Sequence, residues 1–283
     1  MRIIEKVGEM QQQADSWRRE GKRIAFVPTM GYLHAGHLAL MDAAHRHGDL
    51  VVISIFVNPT QFGPGEDYQG YPRDLERDLR LADGVKVDAA FLPSVEEMYP
   101  VGFQTFVETT NVTRNLCGRN RPNHFRGVTT VVMMLFQIVK PHVAIFGEKD
   151  FQQLVTIRRM VQDLHVAVDV VGHPIVREAD GLAMSSRNVY LNEGQRQSAL
   201  RLSQSLELAQ NLTHGGERHA GTIVATVCSH IEGAPETQID YVKVCHPETL
   251  EDVATIEGPA LLAMAVRVGK ARLIDNCVLQ PPT

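Results

Sequence analysis

The chain has 283 residues, 44% hydrophobic and 22% charged, enough to bury a large core in one large or two modest domains. Its net charge of -5, from 28 Lys and Arg against 33 Asp and Glu, argues against a broad nucleic-acid or anionic-membrane surface but leaves room for a local anion site. Four scattered cysteines, Cys117, Cys228, Cys245 and Cys277, lack metal-ligand spacing and read as structural thiols of a reducing compartment.

Residues 3–19 carry Ile4, Val7, Met10, Ala14 and Trp17 at a helical period, and no apolar signal core is visible, so a cytoplasmic location is expected. The apolar run 24–27 predicts a buried strand, and Leu38, Met41, Asp42 and His45 a helix. Between them lies Pro28-Thr29-Met30-Gly31-Tyr32-Leu33-His34-Ala35-Gly36-His37-Leu38, a strand–turn–helix junction. His34 and His37 are three apart and lie together where the helix begins. The first helical turn offers unpaired N–H groups and the positive end of the macrodipole, which suits a phosphate. Two imidazoles add directed donors without permanent charge. Histidines at such a place also serve as caps or surface residues.

The continuous β-branched run 51–57 predicts a central strand covered on both faces, ended by the breaker-rich Asn58-Pro59-Thr60-Gln61-Phe62-Gly63-Pro64-Gly65. A helix over 75–82, a strand over 89–92 and a weaker strand over 105–107 follow. The basic loop 119–127 precedes a buried helix over 128–139, too short to span a membrane. A strand over 143–146 ends in Gly147-Glu148-Lys149-Asp150. Then come a helix over 151–164, a strand over 166–171, and a polar stretch reaching Met184-Ser185-Ser186-Arg187. Asn192 reads as the N-cap of a long helix through Leu212. A second helix over 217–231 and strands over 239–244, 260–268 and 272–278 complete the chain.

Strand–helix alternation up to about Val176 predicts a doubly wound, Rossmann-like parallel α/β sheet, and the remainder a smaller α+β C-terminal domain, giving domains 1–176 and 177–283. Three polar clusters, 30–37, 58–61 and 147–153, each follow a predicted strand. Ligands of open α/β sheets bind in the crevice outside the carboxyl ends of the strands. Lys149 and Arg187 bring positive charge, Ser185 and Ser186 bring hydroxyls, and Asn58, Gln61, Gln152 and Gln153 suit a small polar substrate with a hydroxyl or carboxylate. Taken singly, Lys149 reads as a solvated turn lysine, Asn58 as a turn former and the serines as caps. Arg121 and Arg126 read equally as a subunit contact. No acidic set has metal-cage spacing, so a divalent ion is expected to arrive with a nucleotide.

The segments PTMGYLHAGH, SIFVNPTQF, YPRDLERD, RPNHFRGV, FGEKDFQQL and READGLAMSSRNVYL, with a weaker C-terminal ARLIDN, resemble the pantothenate synthetase family, ligases that join pantoate to β-alanine. HAGH and MSSR are also similar to the HIGH and KMSKS signatures of the wider nucleotidylyl-transferring superfamily. Cys117 departs from the family, which often has an acidic residue there. The resemblance implies ATP-dependent condensation of (R)-pantoate with β-alanine through pantoyl adenylate, releasing AMP and pyrophosphate in the route toward coenzyme A, with Mg²⁺, as a cytoplasmic homodimer. It implies that Met30, Gly31, Tyr32, Leu33, His34, Ala35, Gly36 and His37 bind ATP, His34 and His37 meeting phosphate and His37 donating a proton. It further implies nucleotide contacts from Gly147, Glu148, Lys149 and Asp150, with Lys149 on phosphate, and adenine contact by Val176. Met184, Ser185, Ser186 and Arg187 close over the phosphates, and Gln61, Gln153 and the supporting Asn58 hold pantoate. The rival reading is a nucleotidylyltransferase that keeps the nucleotide on its product.

Overall fold

The structure is a computed structural model that describes residues 1–282. By packing, the chain forms two compact units. The first comprises Met1–Thr110, Arg121–Glu148 and Gln153–Pro174, and the second Asn111–Asn120, Lys149–Gln152 and the chain from Ile175 onward.

In the first unit, six strands make one parallel sheet: β1 (Arg2–Ile4), β2 (Ile24–Thr29), β3 (Leu50–Ile55), β4 (Ala89–Phe91), β5 (Val143–Gly147) and β6 (Asp169–His173). Their spatial order is β1-β4-β3-β2-β5-β6. The chain runs outward from β2 through β3 to β4, then returns to β5 on the other side of β2. The order therefore reverses between β2 and β5, the switch point where such sheets leave an open crevice. Residues alternate across β2. Ile24 and Phe26 pack toward α1 (Val7–Arg19), α6 (His124–Val139) and α7 (Phe151–Asp163). Ala25 and Val27 pack toward α2 (Ala35–Ala44) and α3 (Leu75–Gly84). Both faces are covered, which is why the central strands read as unbroken apolar runs. Along the chain, the short helices α4 (Val95–Met98), of this unit, and α5 (Cys117–Asn120), of the second, come between α3 and α6.

Two expectations are corrected. The helix expected over 3–19 begins only at Val7, because Ile3 and Ile4 belong to β1 and pair with Ala90 and Phe91. Residues 105–107 join no sheet. The backbone N–H of Val107 donates to Thr130 Oγ1 (3.0 Å) and its carbonyl accepts from Thr129 Oγ1 (2.6 Å), so hydroxyls of α6 take the place of a strand partner.

The second unit packs α8 (Glu193–His214) and α9 (Ala220–Glu232) on an antiparallel sheet of β7 (Thr237–Cys245), β8 (Ala260–Val268) and β9 (Ala271–Leu279). Asn192 caps α8 in a reciprocal box with Gln195, as expected from the sequence. β8 supplies the centre of this core, with Leu262, Met264 and Val266 at 0% exposure. Among the described residues no helix is long and apolar enough to cross a membrane.

Candidate active site

β2 delivers the chain to the histidine turn. Thr29 Oγ1 donates to Ser54 O of β3 (2.8 Å) and accepts from Gly31 N–H (3.2 Å), closing the first bend. Gly31 (φ +82°) and Tyr32 (φ +49°) are both left-handed. A side chain at residue 31 would strike Ile55 Cγ2 at 2.9 Å, so glycine is required there by space as well as by conformation. Tyr32 takes the same region without that freedom, at a cost on the order of 1–2 kcal/mol. Asp78 of α3 holds it: Oδ2 accepts from Tyr32 N–H and Oδ1 from Leu33 N–H, each at 2.7 Å. Burial pushes the Asp78 carboxyl above its usual range despite these bonds. Leu33 turns its side chain into the core, at 0% exposure.

His34 is the N-cap of α2. Its Nδ1 accepts from Gly36 N–H (3.2 Å), while His37 Nδ1 accepts from His34 N–H (3.3 Å), and the ring centroids lie 4.1 Å apart. The functional and capping readings of these histidines are therefore compatible. Because each Nδ1 accepts, the neutral rings carry their proton on Nε2. Both present an N–H donor at the helix start.

β3 ends in a 3₁₀ turn over Pro59–Gln61, capped by Asn58. Asn58, 1% exposed, commits its amide inside the protein. It donates to Gln61 Oε1 and Gly127 O, both at 3.1 Å, and accepts from Tyr99 Oη (2.7 Å) and Thr60 Oγ1 (3.0 Å). Burial pushes the Tyr99 phenol up, which keeps it a donor. Gln61 Nε2 reaches Met30 Sδ at 3.0 Å, joining the second cluster to the first. Gly127 of α6 lies so close to this turn that a Cβ would sit 2.5 Å from Thr60 O.

Arg121 and His124 clamp the same loop from the start of α6. Arg121 grips Glu66 through Nε (2.7 Å) and Nη2 (2.6 Å) and donates to His124 Nε2 (3.1 Å), while His124 Nδ1 donates to Gln61 O (2.8 Å). Burial raises the Glu66 carboxyl, but the Arg121 hydrogen bonds and charge outweigh it and hold the group at about 2. Arg126 stacks over Phe106 at 3.9 Å. Arg121 and Arg126, left open from sequence, thus have partners within the chain.

After β5, Glu148–Asp150 form a 3₁₀ turn. Glu148 packs on Gly172 of β6, where a Cβ would come within 2.9 Å of its carboxylate. In the second unit Lys149 Nζ lies 3.6 Å from Asp150, and Asn276 Nδ2 donates to Lys149 O (3.0 Å). Gln152 is structural: it accepts from Cys117 N–H (2.9 Å) and donates to Val112 O (3.0 Å) and Asn115 O (2.8 Å). Gln153 is half-buried.

Met184 to Arg187 ride on a hairpin of the second unit. Met184 N–H donates to Val176 O (2.9 Å), Glu178 N–H to Leu182 O (2.8 Å), and Ser185 Oγ accepts from Arg187 N–H (3.2 Å). Arg177 forks onto Asp275 of β9 at 2.7 and 3.0 Å. Glu178 binds Arg196 and Asn188, both at 2.6 Å. At Cys117 the thiol lies 3.2 Å from Tyr241 Oη and 3.6 Å from the Arg272 guanidinium. A register shift in β7 between Ile239 and Tyr241 frees Asp240 to bind Arg272 (2.6 Å). Arg272 therefore keeps a carboxylate partner although residue 117 is not acidic.

Asp78, Glu66, the Arg177–Asp275 fork and the Glu178–Arg196 pair were not singled out from the sequence. All but Glu66 stand inside the quoted motifs or, for Arg196, close after one. Their partners lie 98 residues away for Asp275, 55 for Glu66 and 45 or 46 for Asp78. Spacing along the chain carries no sign of such pairs.

A family model for pantoate-beta-alanine ligase matches residues 2–278. A pantothenate synthetase of Syntrophobacter fumaroxidans is 62% identical over 281 residues, covering 99% of each chain. The crystal structure of pantothenate synthetase from Thermus thermophilus superposes with a TM-score of 0.94 at 47% identity, covering 99% of this chain and 100% of that one. A pantoate-beta-alanine ligase from Francisella tularensis, complexed with beta-gamma ATP and beta-alanine, gives a TM-score of 0.81 at 32% identity over 98% of this chain and 97% of that one.

Proposed function

This chain belongs to the pantoate-β-alanine ligase family, and from that membership we infer its site chemistry. It is a ligase that condenses pantoate with β-alanine at the expense of ATP, and its ATP-binding, pantothenate-forming character separates it from a nucleotidylyltransferase. A carboxylate is a poor acyl electrophile because its leaving group would be oxide. Attack of the pantoate carboxylate on the α-phosphorus of ATP breaks the bond to the bridging oxygen and releases pyrophosphate. The amine of β-alanine then attacks the acyl carbon of pantoyl adenylate, loses a proton, and AMP leaves.

The observation that carries the residue assignment is the junction at the switch point. Two Nε2–H donors sit at the start of α2, and Gln61 is tied to Met30 of the same turn. Such fixed donors stabilise charge that develops on phosphate oxygens. The 30–37 turn takes the nucleotide, with His34 and His37 on phosphate and His37 as proton donor. Gln61 and Gln153 hold pantoate, and Asn58 aligns Gln61. Residues 147–150, with Lys149 on phosphate, and Val176 are assigned to the nucleotide, and Met184, Ser185, Ser186 and Arg187 to its phosphates.

The proposed phosphate ligands are imidazole, ammonium, guanidinium and hydroxyl. Among the described residues no three His, Cys, Asp or Glu gather to hold a metal ion. Mg²⁺ fits this set as a companion of the triphosphate, where it would neutralise charge on phosphate oxygens. A cytoplasmic homodimer formed through the larger unit completes the reading, and light scattering on the eluting protein tests the dimer.

The deciding experiment follows AMP with ATP and Mg²⁺ present and pantoate and β-alanine added singly and together. Stoichiometric AMP and pantothenate are expected only with both. A stable nucleotide conjugate as the final product would overturn the reading.

A further inference from the structure

We propose that Asp78 is a positioning residue for ATP: its carboxylate holds Tyr32 and Leu33 in the conformation that sets His34 and His37 against the phosphates. The inference rests on the nucleotide reading of the 30–37 turn and names what builds that turn.

Gly31 and Tyr32 are consecutive left-handed residues immediately before the cap of α2. Glycine takes that region freely, but tyrosine does not. Something outside the turn must hold it, and Asp78 is suited to do so. It is 1% exposed, and its two oxygens accept separately from consecutive N–H groups at 2.7 Å. Arg77 braces the arrangement from the same helix, its guanidinium 3.7 Å from Asp78 and 5.3 Å from the Tyr32 ring centroid. An ionised carboxylate supplies two full acceptors, whereas an amide would turn a donor toward one of the two N–H groups.

Burial pushes Asp78 above its usual range, against the two backbone N–H groups and the Arg77 charge that favour the ionised form. A raised acid pKa means that the folded chain binds the extra proton, so stability contributed by this group is lost as pH rises through the raised value. The ionised form that accepts from both amides is thus the form that burial disfavours. The molecule carries it where it fixes two backbone amides one step ahead of the histidines.

The test is Asp78→Asn, which keeps size and shape and replaces one acceptor with a donor. ATP affinity by calorimetry and KM for ATP are expected to weaken at least about tenfold, while KM for pantoate and β-alanine stays within about threefold. Equal weakening for all three substrates, or unchanged ATP affinity, would overturn the proposal. His34→Ala is run beside it. If that variant weakens ATP and Asp78→Asn does not, the positioning role fails alone. If neither does, the nucleotide reading of the turn fails with it. In the native enzyme without ATP, the amides of Tyr32 and Leu33 should exchange slowly with solvent. Exchange as fast as in an open loop sinks the idea even if the variant does not fold.

Discussion

Two histidines three apart at a helix start can serve both as caps and as ligand donors, and here the capping is done through Nδ1 of each ring. Each Nδ1 is taken by a backbone N–H of the cap, so the ring orientation and the tautomer are fixed before any ligand arrives. A donor placed in advance stabilises transition-state charge without reorganising at the moment of reaction. His37→Ala should therefore lower the single-turnover rate of adenylate formation by about 10²–10⁴-fold. The cap bond from His37 to His34 N–H is also lost, at about 1 kcal/mol of stability. Near-normal single-turnover adenylation would refute the assignment. The two histidines were legible because both stand in one turn. Asp78 was not, because its role depends on where α3 crosses the 31–33 backbone, and no local pattern encodes that crossing.

The loop after β3 behaves as an element docked on another element. Asn58 fixes its first turn, Gly127 lets α6 approach to contact, and the Arg121–Glu66 pair with His124 ties it at the far side. The sequence marked this segment as a breaker-rich loop and α6 as a buried helix. It could not mark their embrace: the sequence places Gly127 at the end of the basic loop 119–127, whereas it lies in the first turn of α6 and lets the two backbones approach. The pair also sets a pH dependence. The Glu66 carboxyl drops from its ordinary 4.5 to about 2 in the fold, so its stabilisation is complete above about pH 4.5 and fades as pH falls toward 2. That gap corresponds to about 3 kcal/mol, trimmed slightly because 27% of the side chain remains exposed. Glu66→Gln should lower unfolding free energy by up to that amount at pH 7, and urea titrations from pH 7 to 3 should show the two proteins converging in acid. A pH-independent difference would mean that packing, not the ion pair, secures the loop.

At the scale of the whole molecule, the doubly wound sheet was readable because continuous apolar strands alternate with amphipathic helices. Strand order was not readable, since periodicity is blind to neighbours, and β1 was absorbed into a helical pattern that Ile4 happens to extend. The expected strand over 105–107 failed for the converse reason: its residues favour strand but α6 hydroxyls supply its bonds. In the second unit the hairpin carrying the 184–187 tip is tied to β9 by the fork of Arg177 on Asp275, whose side chain is 2% exposed. Removing one partner of a buried pair costs more than the pair contributes, because the other charge is left uncompensated. Arg177 keeps 31% of its side chain in solvent, which lowers that penalty to about 2–3 kcal/mol. Asp275→Asn should thus speed hydrogen exchange in β9 and residues 176–184, leave β2, β3 and β5 protected, and raise KM for ATP with the tip less firmly seated. Uniform loss of protection across both sheets would show instead that the fork stabilises the chain as a single cooperative unit and has no particular hold on the tip.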